Sequence, residues 1–352
     1  MKEAEMDRKA RVVVMVLFFL FVALVENSIA EEMCLSCHED LTKGKSLHPA
    51  LQMGCTTCHT ALDASRVPHR ITNSLDFGLQ AKGRTLCFNC HDKTAFTHRN
   101  IHPAINVGCT ACHNPHSSNK EKLLTATPPE LCYNCHNKRT FERGNVHPAL
   151  QMGCTACHNP HSTETEKLLV KDLPDVCYNC HDSSVFQKTN VHVPVQAGLC
   201  TSCHNPHSSR NRKLLNTEPP ELCYNCHDKR PFTKKNIHPP VQAGQCTTCH
   251  SPHSSDEIKL LVARPVLVCL RCHGDVRKAP HAVVGFSRGG HPIGSIRKPK
   301  KKKDIIKDPM RPDREFYCGS CHDPHSSDWM RLFRYKASSP LGICSYCHKQ
   351  FF

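Results

Sequence analysis

Thirteen copies of a Cys-x-x-Cys-His unit are the residues of this sequence whose types and spacing could do chemistry. All 26 cysteines fall in these units, with none left over. The cysteines are Cys34 and Cys37, Cys55 and Cys58, Cys87 and Cys90, Cys109 and Cys112, Cys132 and Cys135, Cys154 and Cys157, Cys177 and Cys180, Cys200 and Cys203, Cys223 and Cys226, Cys246 and Cys249, Cys269 and Cys272, Cys318 and Cys321, and Cys344 and Cys347. The histidines that close the units are His38, His59, His91, His113, His136, His158, His181, His204, His227, His250, His273, His322 and His348. A histidine at the same place in every unit indicates one shared chemistry.

Three chemistries use closely spaced cysteines, and the histidine distinguishes them. Disulfide scaffolds need neither a fixed two-residue gap nor a histidine. Zinc fits the spacing between the units of Cys109 and Cys132 but leaves the histidine of every unit redundant. Covalent attachment of c-type haem uses all three residues, because two thioethers fix the macrocycle and the histidine ligates the iron. The sequence therefore predicts thirteen covalently bound haem c groups, each with its unit's histidine as the proximal ligand.

The units lie in a tandem repeat of about 45 residues, with two units in each repeat. The first unit of a repeat follows a glycine closely, and the second follows a proline-rich stretch. The predicted organisation is a signal peptide at 1–30, a half-repeat with the first haem at 31–46, and six repeats at 47–100, 101–145, 146–190, 191–236, 237–282 and 283–352, the last with a basic insertion at 295–315. A linear repeat of this kind predicts an elongated molecule.

The elements that position the units are predicted to be short. About 25 residues per haem are too few for an ordinary side-chain core, so the macrocycles must supply most of the buried apolar volume. The predicted fold is therefore a multihaem cytochrome c with short helices and irregular loops around haem, and little β-structure. In "TPPELCYNCH", Thr127 is the predicted N-cap of a helix with Pro128 in its first turn and Glu130 closing a capping box. Asp172 is given the same role one repeat later.

The pattern HPA…GCTACHNPHSS…LL…PPELCYNCH resembles the doubled-CXXCH family of multihaem cytochromes c, over nearly all of the chain after residue 30. The resemblance implies an electron carrier of anaerobic respiration. Relatives serve as periplasmic relays, as haem chains in outer-membrane conduits, or as extracellular conductors, including polymers. Resembling nitrite reductases use a Cys-x-x-Cys-Lys unit at their catalytic haem, and this sequence contains no such unit. The implied partners are an upstream electron donor and a downstream acceptor.

Fourteen histidines outside the units are candidates for the sixth, distal position of the irons. Six begin a repeat and are named the opening histidines: His48, His102, His147, His192, His238 and His291. Six follow a first unit, five of them in a Pro-His pair directly after it, and are named the PH histidines: His69, His116, His161, His207, His253 and His325. The other two are His98 and His281. Two axial histidines saturate the iron, so this ligation favours an electron carrier over an enzyme.

The spacing restricts which haem each candidate can reach. His161 lies three residues after His158, and three extended residues span at most about 11 Å. Since the two axial ligands of one iron lie on opposite faces of a rigid macrocycle, His161 is predicted to ligate a neighbouring haem. His102 comes 11 residues after His91, which leaves open whether it serves the same haem or the next. No histidine follows His348, so the last unit is the candidate for a five-coordinate haem and for a catalytic alternative.

The N-terminus predicts export. Basic residues precede an unbroken apolar run at 12–25, and a small-x-small cleavage site ends at Ala30. The run is shorter than the ~18–20 residues that span a bilayer, which favours a cleaved signal peptide over an anchor. The predicted location is the periplasm, with an extracellular or outer-membrane association as the alternative. No transmembrane span is predicted in the mature chain.

The formal net charge of +15 would, taken alone, suggest a nucleic-acid partner. Thirteen ferric haems with 26 ionised propionates would bring that charge to about +2, and full reduction would bring it to about −11. The basic excess is therefore counter-charge for haem, and no nucleic acid is expected. The basic stretch at 297–314 is interpreted as a solvated loop, with docking to an acidic redox partner or an anionic surface as the alternative. A homopolymer that shares ligands between chains is a further alternative.

Overall fold

The computed structural model describes residues 33–277, 281, 291, 293–296 and 301–351. The predicted signal peptide at 1–30 lies outside the described residues. The chain divides into two compact parts, named unit 1 and unit 2, which are distinct from the Cys-x-x-Cys-His units of the sequence. Unit 1 contains the residues up to Lys138 together with Pro148–Asp172, and unit 2 contains Arg139–His147 together with the residues from Leu173 onward.

The α-helices of the described residues are one or two turns long. They are α1 (33–38), α2 (Arg84–Cys87), α3 (Ala104–Val107), α4 (Glu130–Tyr133), α5 (Asp175–Tyr178), α6 (Val193–Gln196), α7 (Glu221–Tyr224), α8 (Pro239–Gln242), α9 (Pro265–Leu270) and α10 (Cys318–Cys321). Single 3-10 turns form most of the remaining helical structure, including first units such as Cys109–Ala111 and Cys154–Ala156. The predicted short helices and irregular loops are present.

The predicted start of the second-unit helix is wrong. The helix α4 begins at Glu130, with Pro129 as its N-cap and no capping bond from a side chain. A proline disfavours helical geometry in the residue directly before it, so Pro129 disfavours it at Pro128 and Pro128 disfavours it at Thr127. The helix α5 likewise begins after Pro174, and Asp172 does not cap it.

The strands are short and mostly join one repeat to the next. They are β1 (Ser46–Leu47), β2 (Leu62–Asp63), β3 (Arg70–Ile71), β4 (Asn100–Ile101), β5 (Ser117–Ser118), β6 (Asn145–Val146), β7 (Ser162–Thr163), β8 (Asn190–Val191), β9 (Ser208–Ser209), β10 (Asn236–Ile237), β11 (Ser254–Ser255), β12 (Lys307–Asp308), β13 (Arg311–Glu315) and β14 (Ser326–Ser327). Five antiparallel pairs have the same form: β1 with β5, β4 with β7, β6 with β9, β8 with β11, and β10 with β14. In each, the strand before an opening histidine pairs with the strand after the PH histidine of the next repeat. Consecutive repeats are therefore interlocked.

A buried serine forms hydrogen bonds across each of these junctions between repeats. In unit 1 the side chain of Ser162 is 1% exposed, and its hydroxyl donates to the Ala95 carbonyl at 2.9 Å and accepts from the His98 N–H at 3.3 Å. In unit 2, Ser208 makes the same two bonds to the Thr140 carbonyl and the Arg143 N–H. The serine directly after a PH histidine is thus a structural bridge between repeats, as Ser162 and Ser208 show.

Replacing this bridge should destabilise the fold. We expect Ser162→Ala to lower the free energy of unfolding by about 1–3 kcal/mol, because it removes two hydrogen bonds that are each worth about 0.5–1.5 kcal/mol. The control is Ser74→Ala, at an exposed position, which should leave stability unchanged. Thermal unfolding of the haem-loaded protein measures both, and equal midpoints for the two variants would contradict the bridging role.

An ordinary apolar core is missing from the described residues. The buried hydrophobic side chains among them are Ile105, Val266, Phe316, Phe333 and Ala337. Large apolar side chains such as Val107 and Val193 are instead 80% and 72% exposed. Few buried and many exposed apolar side chains are expected when a bound group, rather than the side chains, supplies the apolar interior of a fold. No helix within the described ranges is long and apolar enough to cross a membrane.

The described end of the basic insertion is an ordered hairpin. The strands β12 and β13 pair antiparallel within it. Asp308 is 1% exposed and binds the Arg311 guanidinium at 2.6 Å, which also donates to the Gly319 carbonyl at 2.8 Å. The prediction of a loop is therefore wrong for residues 307–314, which form a hairpin, although most of these residues are exposed as a solvated stretch should be.

Candidate haem-binding sites

Opening histidines lie opposite second-unit histidines of their own repeat. The ring centroids of His102 and His136 are 6.0 Å apart, with an angle of 13° between the ring planes. Equivalent pairs are His48–His91, His147–His181, His192–His227, His238–His273 and His291–His348. The opening histidine therefore does not meet the proximal histidine 11 residues before it, such as His91 in the case of His102.

PH histidines lie opposite first-unit histidines of the preceding repeat. The centroids of His161 and His113 are 6.1 Å apart. Pairs of the same form are His116–His59, His253–His204 and His325–His250, and His69 lies opposite His38 of the half-repeat. The structure thus brings His161 to the unit of an adjacent repeat and not to its sequence neighbour His158.

The centroid separations fit two imidazoles on opposite sides of one iron. A metal–nitrogen bond of about 2.0 Å, with the ring centroid about 1.1 Å behind the nitrogen, places two trans rings about 6.2 Å apart. The described histidine pairs, including His281–His322, have separations between 5.9 and 6.2 Å. The paired rings and the neighbouring free thiols of each unit therefore fit haem c.

Of the remaining candidates in the described part of the chain, His281 and His291 lie opposite unit histidines, whereas His98 does not. His98 is not opposite a proximal histidine among the described residues, and its Nδ1 instead lies 2.9 Å from the Glu164 carboxylate. His281, the other extra histidine, lies 6.2 Å from His322. The last unit is not short of a partner, since His291 lies 6.2 Å from His348. The prediction of a five-coordinate last haem considered only residues after His348, whereas the partner, His291, precedes the last unit in the chain.

His158 lies in the compact unit 1, and His207 lies in the compact unit 2. In unit 1, the Nδ1 of His158 donates to the Lys167 carbonyl at 2.9 Å. In unit 2, the ring of His207 lies 5.0 Å from that of Phe141, as the ring of His161 lies 4.8 Å from Phe96 in unit 1. Both histidines therefore have the surroundings of their equivalents in other repeats.

A carbonyl nine residues downstream orients each first-unit histidine from the second repeat onward. His113 donates from Nδ1 to the Lys122 carbonyl at 2.8 Å, which leaves Nε2 for the iron. The same bond is made at His158, His204, His250 and His322 to Lys167, Lys213, Lys259 and Arg331. In the first repeat, His59 donates instead to Phe77. Sequence reasoning missed these residues, although the recurring basic-Leu-Leu or basic-Leu-Phe sequence at a fixed offset is a visible signal.

This carbonyl depends on an unusual backbone conformation. Lys122 and Leu123 have φ angles of 55° and 56°, a left-handed region that residues with a Cβ rarely adopt. The Leu123 carbonyl accepts from the Asn114 N–H at 2.7 Å. Two consecutive carbonyls are thus turned toward the haem unit, at a conformational cost of order 1–3 kcal/mol per residue.

Glycine should be tolerated where lysine is strained. We expect Lys122→Gly to keep the haem spectrum and to raise stability by up to about 1 kcal/mol, because glycine adopts positive φ freely and the carbonyl stays in place. Lys120→Gly is the matched control, since Lys120 is exposed with φ of −111° and should lose stability. Thermal unfolding with the visible spectrum tests this. A changed haem spectrum in Lys122→Gly alone would mean that the side chain, not the carbonyl, is needed.

Burial favours the neutral form of the candidate distal histidines. The pKa of His161 is lowered first by burial and then by the neighbouring His113. Burial is also the largest cause of the lowered pKa of His48, His102, His116, His147, His238, His253, His281 and His325. A lowered pKa keeps the imidazole neutral at physiological pH, and neutral imidazole is the form that binds iron.

Cysteines of consecutive units are neighbours. The thiols of Cys87 and Cys109 are neighbours, and burial together with this neighbour raises the pKa of Cys87 to about 11. The same contact joins Cys132 to Cys154 within unit 1. Two such contacts lie within unit 2, Cys223 with Cys246 and Cys269 with Cys318. The attachment points of consecutive haems are therefore in contact where one repeat meets the next.

Six stretches of the chain match the sequence model of the family described as "doubled CXXCH motif", and they cover most of its length. The matched residues are 48–96, 102–141, 147–186, 192–232, 238–278 and 310–351. No curated protein matches the chain. Each matched stretch contains two of the units, and paired units of this kind imply covalently bound haem c and electron transport. The chain belongs to the doubled CXXCH motif family of multihaem c-type cytochromes.

Proposed function

We propose that this protein is an exported thirteen-haem cytochrome that carries electrons along a row of haems held mostly by two histidines each. The observation that supports this most directly is the regular series of histidine pairs with centroids about 6 Å apart. Haem c supplies the one-electron chemistry, and the chain's own residues attach it, orient it and keep other ligands away.

Saturated ligation supports a carrier over an enzyme. With His113 and His161 both binding, the iron between them has no position left for a substrate. Histidine at both positions also gives lower potentials than a histidine and a methionine. The Lys122 carbonyl strengthens this effect, because a hydrogen bond from the other ring nitrogen raises the basicity of the ligating imidazole.

Consecutive sites are coupled in two alternating ways. Within a repeat, the two distal ligands are joined through the backbone, since the His102 N–H donates to the His161 carbonyl at 2.8 Å. Between repeats, the thiols of Cys132 and Cys154 are in contact. Each haem would thus have one neighbour reached through its distal ligand and another reached through its thioether edge. This alternation supports a continuous electron path within each unit.

Export and partners complete the proposal. Haem c is attached outside the cytoplasm, which agrees with the signal peptide predicted at 1–30. The upstream donor and downstream acceptor would be redox proteins, with an outer-membrane conduit as one acceptor. The basic insertion at 295–315 would dock an acidic partner, since Lys301, Lys303 and Lys307 are exposed next to the hairpin.

Neutralising these lysines should slow reaction with anions. We expect Lys301→Gln, Lys303→Gln and Lys307→Gln together to reduce the rate of oxidation by an anionic iron cyanide complex about tenfold at low ionic strength. The control replaces Lys45, Lys82 and Lys93 by glutamine, which changes the net charge equally at other exposed positions. Stopped-flow rates across a salt series measure the effect, and equal losses in both variants would show that only net charge matters.

Haem quantitation with a spin-state spectrum tests the proposed function itself. We expect thirteen covalent haems per chain by mass, low-spin ferric iron throughout, and no carbon monoxide binding after reduction. Zinc in place of haem would overturn the proposal. A wild-type haem that binds carbon monoxide would favour an enzyme, and a missing ligand restored only on assembly would favour a ligand-sharing filament.

A further inference from the structure

The sixth repeat departs from the rule by which first-unit haems gain their distal ligand. For His59, His113, His204 and His250, the candidate ligand is the PH histidine of the next repeat, as His161 is for His113. His322 is the first-unit histidine of the sixth repeat, and its partner is His281. This partner lies 41 residues before His322 in the chain, whereas His161 lies 48 residues after His113. The direction of ligand supply is therefore reversed.

The reversal coincides with a longer connection. The first cysteines Cys269 and Cys318 are 49 residues apart, whereas the equivalent distance from Cys132 to Cys154 is 22 residues. The extra residues do not move the first unit out of line, because the helices α9 and α10 that carry Cys269 and Cys318 still pack against each other. The added chain thus leaves the row of attachment points intact and carries His281 within it.

The same connection carries both distal ligands of the sixth repeat. His291 lies opposite His348, and His281 is close enough to His291 for their charges to interact. In interior repeats the two distal ligands are also adjacent, but they come from two different repeats, as His102 and His161 do. In the sixth repeat one stretch of chain supplies both.

We propose that His281 is the sixth ligand of the haem attached to Cys318 and Cys321, and that it replaces the ligand a following repeat would give. The sixth repeat is then self-sufficient in ligands and needs no histidine from another chain. This assignment rests on the proposed haem ligation and adds to it a specific ligand for one haem. It also accounts for the long connection between Cys269 and Cys318, which the repeat pattern does not explain.

The test uses the full-length holoprotein with His281→Ala and His98→Ala as a matched pair. Carbon monoxide titration of the reduced protein should rise from none in the wild type to one molecule per chain in His281→Ala. A high-spin ferric signal should appear with it, and added imidazole should remove that signal. His98→Ala should match the wild type, because His98 bonds to Glu164 and not to a haem ligand.

A double variant locates the opened haem. His281→Ala with His291→Ala should bind two molecules of carbon monoxide, since the two histidines serve different haems. One molecule in the double variant would mean that they serve the same haem and would overturn the assignment. If His281→Ala fails to fold, His281→Met keeps a ligand in place and should add one methionine–iron charge-transfer band to the ferric spectrum.

The failures are distinguishable. Fewer than thirteen low-spin haems in the wild type would be a failure of the proposed function. An intact wild type with His281→Ala that stays low-spin and does not bind carbon monoxide, or His281→Met without the new band, would overturn the assignment of His281 alone.

Discussion

Removing the attachment cysteines of one interior unit should interrupt electron transfer along the row. For Cys109→Ala with Cys112→Ala we expect twelve haems per chain and a large loss in the rate of intramolecular transfer across that position. The physical reason is that the Cys109 thiol neighbours that of Cys87 on one side, and the His161 carbonyl accepts from the His102 N–H on the other, so removing this haem would leave a gap between its two neighbours in the row. Mass spectrometry counts the haems, and flash reduction with single-wavelength detection follows equilibration between those that remain.

The matched control removes the haem of the half-repeat. Cys34→Ala with Cys37→Ala also costs one haem, but this unit precedes the six repeats and leaves them continuous. Transfer among the remaining haems should then stay close to the wild-type rate. If the interior and terminal deletions slow transfer equally, the row is not a serial path and the proposed function needs revision.

Methionine at an interior distal position should raise the potential of a single haem. For His161→Met we expect an increase on the order of 0.1 V, within the ~0.8 V that axial ligands span, because methionine stabilises ferrous iron relative to histidine. The rest of the titration curve should not move, since His161 lies opposite His113 only. Spectroelectrochemical titration resolves the shift, together with the methionine–iron band.

His98→Met is the control for this prediction. His98 is a histidine in the same unit, but its ring nitrogen bonds to Glu164, so its replacement should leave every potential unchanged. An unchanged curve for His161→Met, or an equal change for His98→Met, would contradict the assignment of His161 as a ligand.

The sequence predicts the chemistry of the sites better than their geometry. The Cys-x-x-Cys-His spacing fixes the attachment residues, because only haem uses all three. The short reach from His158 to His161 predicts that a PH histidine ligates the haem of another unit, and the structure places His161 opposite His113. Spacing does not identify which unit, since an 11-residue loop reaches in several directions. The pairing of His102 with His136 depends on strands from two repeats, which no single repeat encodes.

Local rules fail where the fold overrides residue preferences. Thr127 and Glu130 have the types of a capping box, but the two prolines between them move the helix start past Thr127. Lys122 carries no sign of a left-handed conformation, because lysine normally avoids it. Its carbonyl bond to His113 supports that conformation. Both departures place backbone groups around the haem unit, whose requirements the preferences of individual residues do not include.

The pairing of strands between repeats has a consequence for the order of maturation. His113 precedes its partner His161 by 48 residues, and the ladder between β4 and β7 closes over the same interval. If the chain is exported from its N-terminus as proposed, it would receive haem at Cys109 before His161 has arrived. That haem would stay accessible on one face until the next repeat emerges. A second-unit haem would not wait in this way, because His102 precedes His136, and neither would the first-unit haem of the sixth repeat, because His281 precedes His322. Haem insertion and completion of the ligand set would thus alternate along the emerging chain between first and second units.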